Sequence, residues 1–364
     1  MMPFSWTVMS AIFIVQIYQL SGLEIEKANI LENEIRDDTK AAGISNLGLT
    51  CWLGSLLQMI YHTDFAQEIL ERDLGAKNDF FIKVLKDTIK EMKLSNGTSV
   101  DPTPMLDALE ATNYAQDIFE YWSILTDKMI DSGLSDILNE YFSFDIVQII
   151  KYIYGSPPYC QKVRNYSYSS SFTSAYIPKN VKTNLTENLN EYFSEELTQD
   201  LEIGSSKCPS DVKKDRGWGE NYIHKNFTKQ LLLNSTNMPK YFIIQLKRFD
   251  YDWNLEKVVA VDSRLTFPDE LDLTNYVYNS TAIPLYSLHG VVEYQKNYYA
   301  YNNDIGHYVY YVNSREKEEQ GLDRSWMKYD DDTVTWVTRQ DAVIDNFGGE
   351  DSKSFAYGLV YKRN

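Results

Sequence analysis

An α+β fold is predicted for this 364-residue chain by a change of periodicity along its length. Apolar residues recur at helical spacing up to about residue 155. A stretch rich in Tyr, Ser and turn residues, 156–237, breaks that pattern, and β-branched and aromatic runs then follow to the end. An apolar fraction of 43% is ample for a buried core and excludes a wholly disordered protein. The formal charge of −17 has the wrong sign for phosphate-driven binding, so nucleic acid is not an expected partner.

Residues 6–20 (WTVMSAIFIVQIYQL) are mostly apolar, short for a membrane span but of the length of a signal-peptide core, and Ser21-Gly22 suits a cleavage site. No Lys or Arg precedes Lys27, so the basic start of a leader is missing, and a hydrophobic N-terminal segment of an intracellular protein stays open. Six Asn-x-Ser/Thr sequons, at Asn96, Asn165, Asn184, Asn226, Asn234 and Asn279, favour a secretory route. On that reading 1–22 is removed and no stable membrane span remains; otherwise the protein is cytoplasmic or nuclear. Residues 23–40 are highly charged and read as a linker. A Gly-containing turn then runs into a buried helix starting at Thr50 or Cys51, and residues 80–92, 105–109, 117–130 and 134–154 continue in helical period. Strands are expected at 241–249, 257–262, 286–294, 308–312, 326–329 and 355–361.

Three cysteines, Cys51, Cys160 and Cys208, cannot build a disulfide scaffold, and no C-x-x-C pair occurs to hold zinc, so neither metal nor cofactor is expected. A thiol at a helix start is favoured as thiolate by the helix dipole, which marks Cys51 as a candidate nucleophile, although a lone Cys is more often a small buried hydrophobe. His307 opens an apolar strand 256 residues later and is the candidate base, because imidazole titrates near neutrality. Asp330, 23 residues beyond His307, suits the return strand of a hairpin and could orient the imidazole; the run Asp330-Asp331-Asp332 also fits a solvated or cation-binding turn. His62, His224 and His289 read as structural.

The segment 43–58 (GISNLGLTCWLGSLLQ) resembles the Cys box of the ubiquitin-specific proteases, G-L-x-N-x-G-N-T-C-Y-M-N-S-x-L-Q. Gly306-His307-Tyr308, with Trp326, Lys328, Tyr329, Asp330-Asp331 and the terminal 356–361 (AYGLVY), resembles the same family's His box. Gln245-Leu246-Lys247-Arg248-Phe249 is similar to its L-x-L-K-R-F strand, and Gln116-Asp117 with Glu120 to its Q-D-x-x-E helix. Phe267-Pro268-Asp269 and Asn346-Phe347-Gly348-Gly349 resemble the branch that includes the herpesvirus-associated member. The resemblance runs from about Ala41 to the C-terminus and implies a papain-like cysteine protease with a helical thumb (about 41–155), divergent β fingers (about 156–237) and an antiparallel β palm (about 238–364).

It implies a thiol-dependent deubiquitinase, monomeric, whose partners are ubiquitin and ubiquitinated proteins. Cys51 would be the nucleophile, His307 the base and later the acid, Asp330 the group that holds the imidazole, and Asn46 an oxyanion donor. Gln116, Asp117, Gln245, Arg248, Phe249 and Tyr308 would bind along the channel for the ubiquitin tail. Departures from the family pattern are Leu49 for Asn, Trp52 for Tyr, Gly54 for Asn, and Glu293-Tyr294-Gln295 with an Asn/Tyr-rich loop, 297–304, where His-x-Gly is usual. The changes at Leu49, Gly54 and the loop before Gly306 favour the alternative of a catalytically weak ubiquitin-binding pseudoprotease. The zinc-ribbon pairs of the fingers are absent, and Cys160 and Cys208 could pair if the chain is secreted.

Overall fold

The computed structural model describes residues 41–72, 79–154, 160–198, 225–278, 284–296, 306–314 and 324–364. The expected leader and linker, Cys208, His224, the sequon at Asn279 and the loop 297–304 lie outside the described residues. The N-terminal part is helical: α1 (Cys51–Tyr61), α2 (Asp64–Glu71), α3 (Phe80–Leu94), α4 (Thr103–Ala108), α5 (Ile118–Asp131) and α6 (Ser135–Tyr141). Asp79 and Asp117 start α3 and α5 by accepting two backbone N–H groups each, as a short carboxylate at an N-cap does. Ten of the eleven residues of α1 are buried, Trp52 and Leu53 completely, so this helix runs through the interior. No helix among the described residues is long and apolar enough to cross a membrane.

The helical reading of 134–154 is corrected. The last helix stops at Tyr141, and Phe144–Tyr154 is a strand, β1, paired antiparallel along its length with β2 (Cys160–Ser170) and with β6 (Lys225–Asn234). The β-branched Ile146, Val147, Ile149, Ile150 and Ile153 lose side-chain freedom in a helix and suit a pleated surface, and partners on both edges decide the matter. Within 156–237, where the helical pattern breaks, β2 and β6 are among the longest strands. Between them lie β3 (Thr173–Tyr176), β4 (Thr183–Asn184), α7 (Leu185–Tyr192) and β5 (Glu196–Thr198).

The remaining strands are β7 (Tyr241–Lys247), β8 (Phe249–Asp252), β9 (Lys257–Ala260), β10 (Leu265–Thr266), β11 (Glu270–Leu271), β12 (Val277–Tyr278), β13 (Tyr286–Gln295), β14 (His307–Asn313), β15 (Trp326–Asp330), β16 (Thr333–Val337) and β17 (Ser354–Arg363). One sheet has the order β12-β6-β1-β2, with β5 beside β6. The larger, eight-stranded sheet runs β16-β15-β14-β13-β17-β7-β3, with β11 beside β13. Side chains of β14 alternate between two cores: Tyr308, Tyr310 and Val312 face the helices, while Val309 and Tyr311 join Trp326, Leu359 and Phe242 on the opposite face. Both faces of this sheet are covered, which explains why its strands read as near-continuous apolar runs.

Gly54 lies in the first turns of α1 at ordinary backbone angles, and a Cβ built there would stand 3.5 Å from Cβ of Ile44, normal van der Waals contact. Gly54→Ala is therefore expected to stabilise the fold by about 1 kcal/mol, roughly 2 °C in Tm for a domain of this size. Thermal unfolding followed by circular dichroism checks it; a lower Tm shows that the site has no room.

Candidate active site

The loop before α1 is docked backbone to backbone against the turn that follows β15. The Ile44 N–H donates to the Asp331 carbonyl at 2.8 Å. A Cβ on Gly43 would come within 2.6 Å of the Asp332 backbone, so this approach requires glycine. Asn46 makes the tie with its side chain: Nδ2 donates to Asp331 Oδ2 at 2.9 Å, while Oδ1 accepts from the Gly48 and Thr50 N–H groups, each at 3.0 Å. Gly48, at φ +118°, lets the loop turn into the helix that opens with Cys51.

His307, completely buried, begins β14, and Asp330 ends the antiparallel neighbour β15. Imidazole Nε2 lies 2.8 Å from Asp330 Oδ1, and the other carboxylate oxygen accepts from Lys328 Nζ, also at 2.8 Å. With Nε2 occupied, Nδ1 is the nitrogen left to address Cys51, whose proximity favours the charged imidazole. Burial disfavours the imidazolium, yet the Asp330 bond and then Cys51 outweigh it and raise His307 to about 10. Burial likewise works against ionised Asp330, and His307 and Lys328 overcome it, holding the carboxyl at about 2. Asp331 Oδ2 lies 3.9 Å from Nε2; burial raises its carboxyl, with Asn46 acting in the opposite sense. His307, Asp330 and Asp331 bring ligand atoms within 4.8 Å of one another, a spacing a cation could use. Lys328 and Asn46 already hold the two carboxylates, so the arrangement is suited to managing a proton between a thiol and an imidazole.

A family model described as "Ubiquitin carboxyl-terminal hydrolase" matches residues 42–361. The chain belongs to this family. Among curated relatives, ubiquitin carboxyl-terminal hydrolase 7 of Caenorhabditis briggsae is 25% identical over 346 residues, covering 90% of this chain and 28% of the relative. Ubiquitin carboxyl-terminal hydrolase 15 of Schizosaccharomyces pombe is 24% identical over 357 residues, with the same two shares. Ubiquitin carboxyl-terminal hydrolase 7 of Drosophila melanogaster is 31% identical over a shorter stretch of 136 residues, 35% of this chain and 11% of the relative. The chain thus spans little more than a quarter of the length of the first two relatives.

Other positions of this ubiquitin carboxyl-terminal hydrolase chain that sequence reading singled out fall into two groups. Asp117 accepts from the Phe119 and Glu120 N–H groups and from the Tyr357 hydroxyl, which ties the start of α5 to β17. Tyr357 and Tyr308 lie 5.6 Å apart, ring to ring, beside Phe249 and Tyr294. Gln245 Nε2 reaches the Tyr357 hydroxyl at 3.4 Å, so Asp117, Tyr357 and Gln245 form one polar line among these rings. Gln116, next to Asp117, bonds Thr112 at 3.5 Å. Arg248 is different, and its expected role along a channel is corrected. It is completely buried, its guanidinium donating to the carbonyls of Ala356, Val261, Ser263 and Phe347, an internal clamp with no surface presented to a ligand. Burial lowers it to about 10.

Sequence reading placed Lys328 and Asp331 in the His-box resemblance, and Asp331 in a solvated or cation-binding turn, but not as the groups that hold Asp330 and Asn46. The available signal was the run Asp330-Asp331-Asp332, whose middle acid adopts a left-handed turn, φ +54°, that Asp tolerates better than most residues. His289 is structural as expected: Nε2 meets the His62 carbonyl at 2.7 Å, and the ring packs on Tyr241.

Proposed function

We propose that this chain is a thiol-dependent deubiquitinase that hydrolyses the isopeptide or peptide bond after the C-terminal glycine of ubiquitin. The observation that carries the reading is the line Cys51–His307–Asp330, in which one imidazole addresses a thiol at a helix start and a carboxylate held by Lys328. Cys51 attacks the glycine carbonyl, His307 takes the thiol proton and passes it to the leaving amine, and the acyl-enzyme is cleaved by a water that His307 deprotonates. Asp330 stabilises the imidazolium and fixes its orientation. Asn46, five residues ahead of Cys51, supplies an amide toward the developing oxyanion, and its bond to Asp331 positions that amide.

Asp117, Gln116, Gln245, Phe249 and Tyr308 border the path of the ubiquitin tail, whose arginines meet an acidic wall at Asp117. The helical layer, the five-stranded sheet and the eight-stranded sheet take the parts of thumb, fingers and palm, and Phe267-Pro268-Asp269 with Asn346-Phe347-Gly348-Gly349 supports placement near the herpesvirus-associated branch. The partners are ubiquitin and ubiquitinated proteins, met as a monomer.

Incubation of the full chain with ubiquitin bearing a C-terminal thiol-reactive warhead tests the proposal. One ubiquitin mass is expected to add to the wild type and none to Cys51→Ala. Ubiquitin binding without an adduct would instead identify a binding module, and neither binding nor reaction would remove ubiquitin from the function.

A further inference from the structure

Glu293, in the segment that replaces the family's usual element ahead of the His box, is a buried carboxylate the mechanism above does not use. It is 5% exposed and lies on β13, across from Val309 of β14; two residues on, Gln295 is directly opposite His307. One oxygen, Oε2, accepts from the Tyr311 hydroxyl at 2.8 Å and from Gln295 Nε2 at 3.2 Å. A single side chain thus links β13 to β14 and also holds the residue that faces His307. Tyr311 in turn lies opposite Lys328 on β15, whose ammonium holds Asp330. The Glu293–Tyr311 bond therefore ties β13 to the strand that carries the imidazole, and Tyr311 stands in register with the strand that carries its carboxylate. His307 is the first residue of its strand, where a backbone ladder constrains it from one side only, and a cross-strand brace has the most to contribute there.

We propose that Glu293 is a positioning residue for His307: its bonds to Tyr311 and Gln295 lock the β13–β14 edge so that the imidazole stays aligned between Cys51 and Asp330. The inference rests on the deubiquitinase reading for its kinetic consequence but not for its structural one. The groups that face the imidazole are Cys51 from α1 and Asp330 and Asp331 from β15 and its turn, so loosening the brace weakens the contacts that keep the imidazolium charged.

The test compares wild type, Glu293→Val, Glu293→Gln and Tyr311→Phe as full chains. The His307 titration midpoint is read by NMR of histidine-labelled protein, assigned with His307→Asn, and kcat and KM are measured on a fluorogenic ubiquitin C-terminal amide. Glu293→Val and Tyr311→Phe are expected to lower the midpoint by about half a pH unit or more, toward the ordinary imidazole value. They should also lower kcat about tenfold while KM stays within about twofold, because alignment and not binding is lost. Glu293→Gln keeps an acceptor for Tyr311 and is expected to restore both quantities, and the Val/Phe double variant should be no worse than either single one. An unchanged midpoint in Glu293→Val and Tyr311→Phe overturns the proposal. So does a Glu293→Gln midpoint that falls as far as that of Glu293→Val, since charge and not the brace would then be responsible. If Glu293→Val fails to fold, Tyr311→Phe and Glu293→Gln decide. An inactive wild type sinks the enzymatic reading, while the titration still settles whether Glu293 positions His307.

Discussion

Cys51→Ala is expected to lower turnover of a fluorogenic ubiquitin C-terminal amide by at least ~10⁴-fold while leaving ubiquitin affinity within a few-fold of the wild type. The loss is large because the reaction is covalent: without the sulfur there is no acyl-enzyme, and the bond must be cleaved by water directly. Affinity survives because Cys51 is 5% exposed and its removal vacates only one small group in an otherwise packed helix. Cys51→Ser is expected to rescue little, since a hydroxyl holds its proton far more tightly than a thiol against the same imidazole. His307→Ala should also be severely impaired, and Cys51→Ala/His307→Ala no worse than Cys51→Ala, because the two groups act as a unit. Steady-state rates with active-site titration and calorimetric binding of ubiquitin check both arms. A residual rate within tenfold of wild type would assign the chemistry to another group.

The same pair shows what the sequence made legible. A helix beginning at Cys51 follows from a Gly-containing turn, a Thr at the N-cap position and an apolar run, all of them local signals. The hairpin that brings Asp330 to His307 follows from two short aromatic runs with turn residues between them, and Tyr310 pairs with Tyr329 as that pattern suggests. Failures occurred where long-range contacts decide. Ile146 to Ile153 carry an apolar pattern that either helix or strand could use, and pairing with the following strand β2 and with β6, about 70 residues or more away, selects the strand. The resemblance implies a place for Arg248 along the tail channel, yet four carbonyls from three separate segments close around its guanidinium. The tie from Asn46 to Asp331 joins residues 285 positions apart and leaves no local signature.

Asp330→Asn is expected to reduce kcat/KM by about 10²-fold or more and to bring the alkaline limit of activity down from about 10 toward neutrality. Asn is of the same size and can still meet His307 with its carbonyl oxygen, so the strands need not move; what disappears is the negative charge that makes the imidazolium stable. The signs of the two shifts also predict a stability signature. His307 is raised from 6.5 to about 10 in the folded state, so its contribution is complete below 6.5 and is lost as pH rises through 10. Asp330 is depressed from 3.8 to about 2, so its contribution is complete above 3.8 and is lost as pH falls through 2. Both are fully present only between those ordinary values, from about pH 4 to 6.5, and the Tm gap between wild type and Asp330→Asn should be widest there, narrowing on either side. Lys328 complicates the count, because its ammonium is left beside an uncharged amide and adds to the deficit of the variant. Lys328→Met in the Asp330→Asn background should therefore recover part of the lost Tm without recovering kcat/KM, which separates a charge left without its counterion from a charge needed for catalysis. A Tm gap independent of pH, or an alkaline limit that stays near 10 in Asp330→Asn, would mean that Asp330 does not hold the imidazolium and that Asp331, 3.9 Å from Nε2, takes that part.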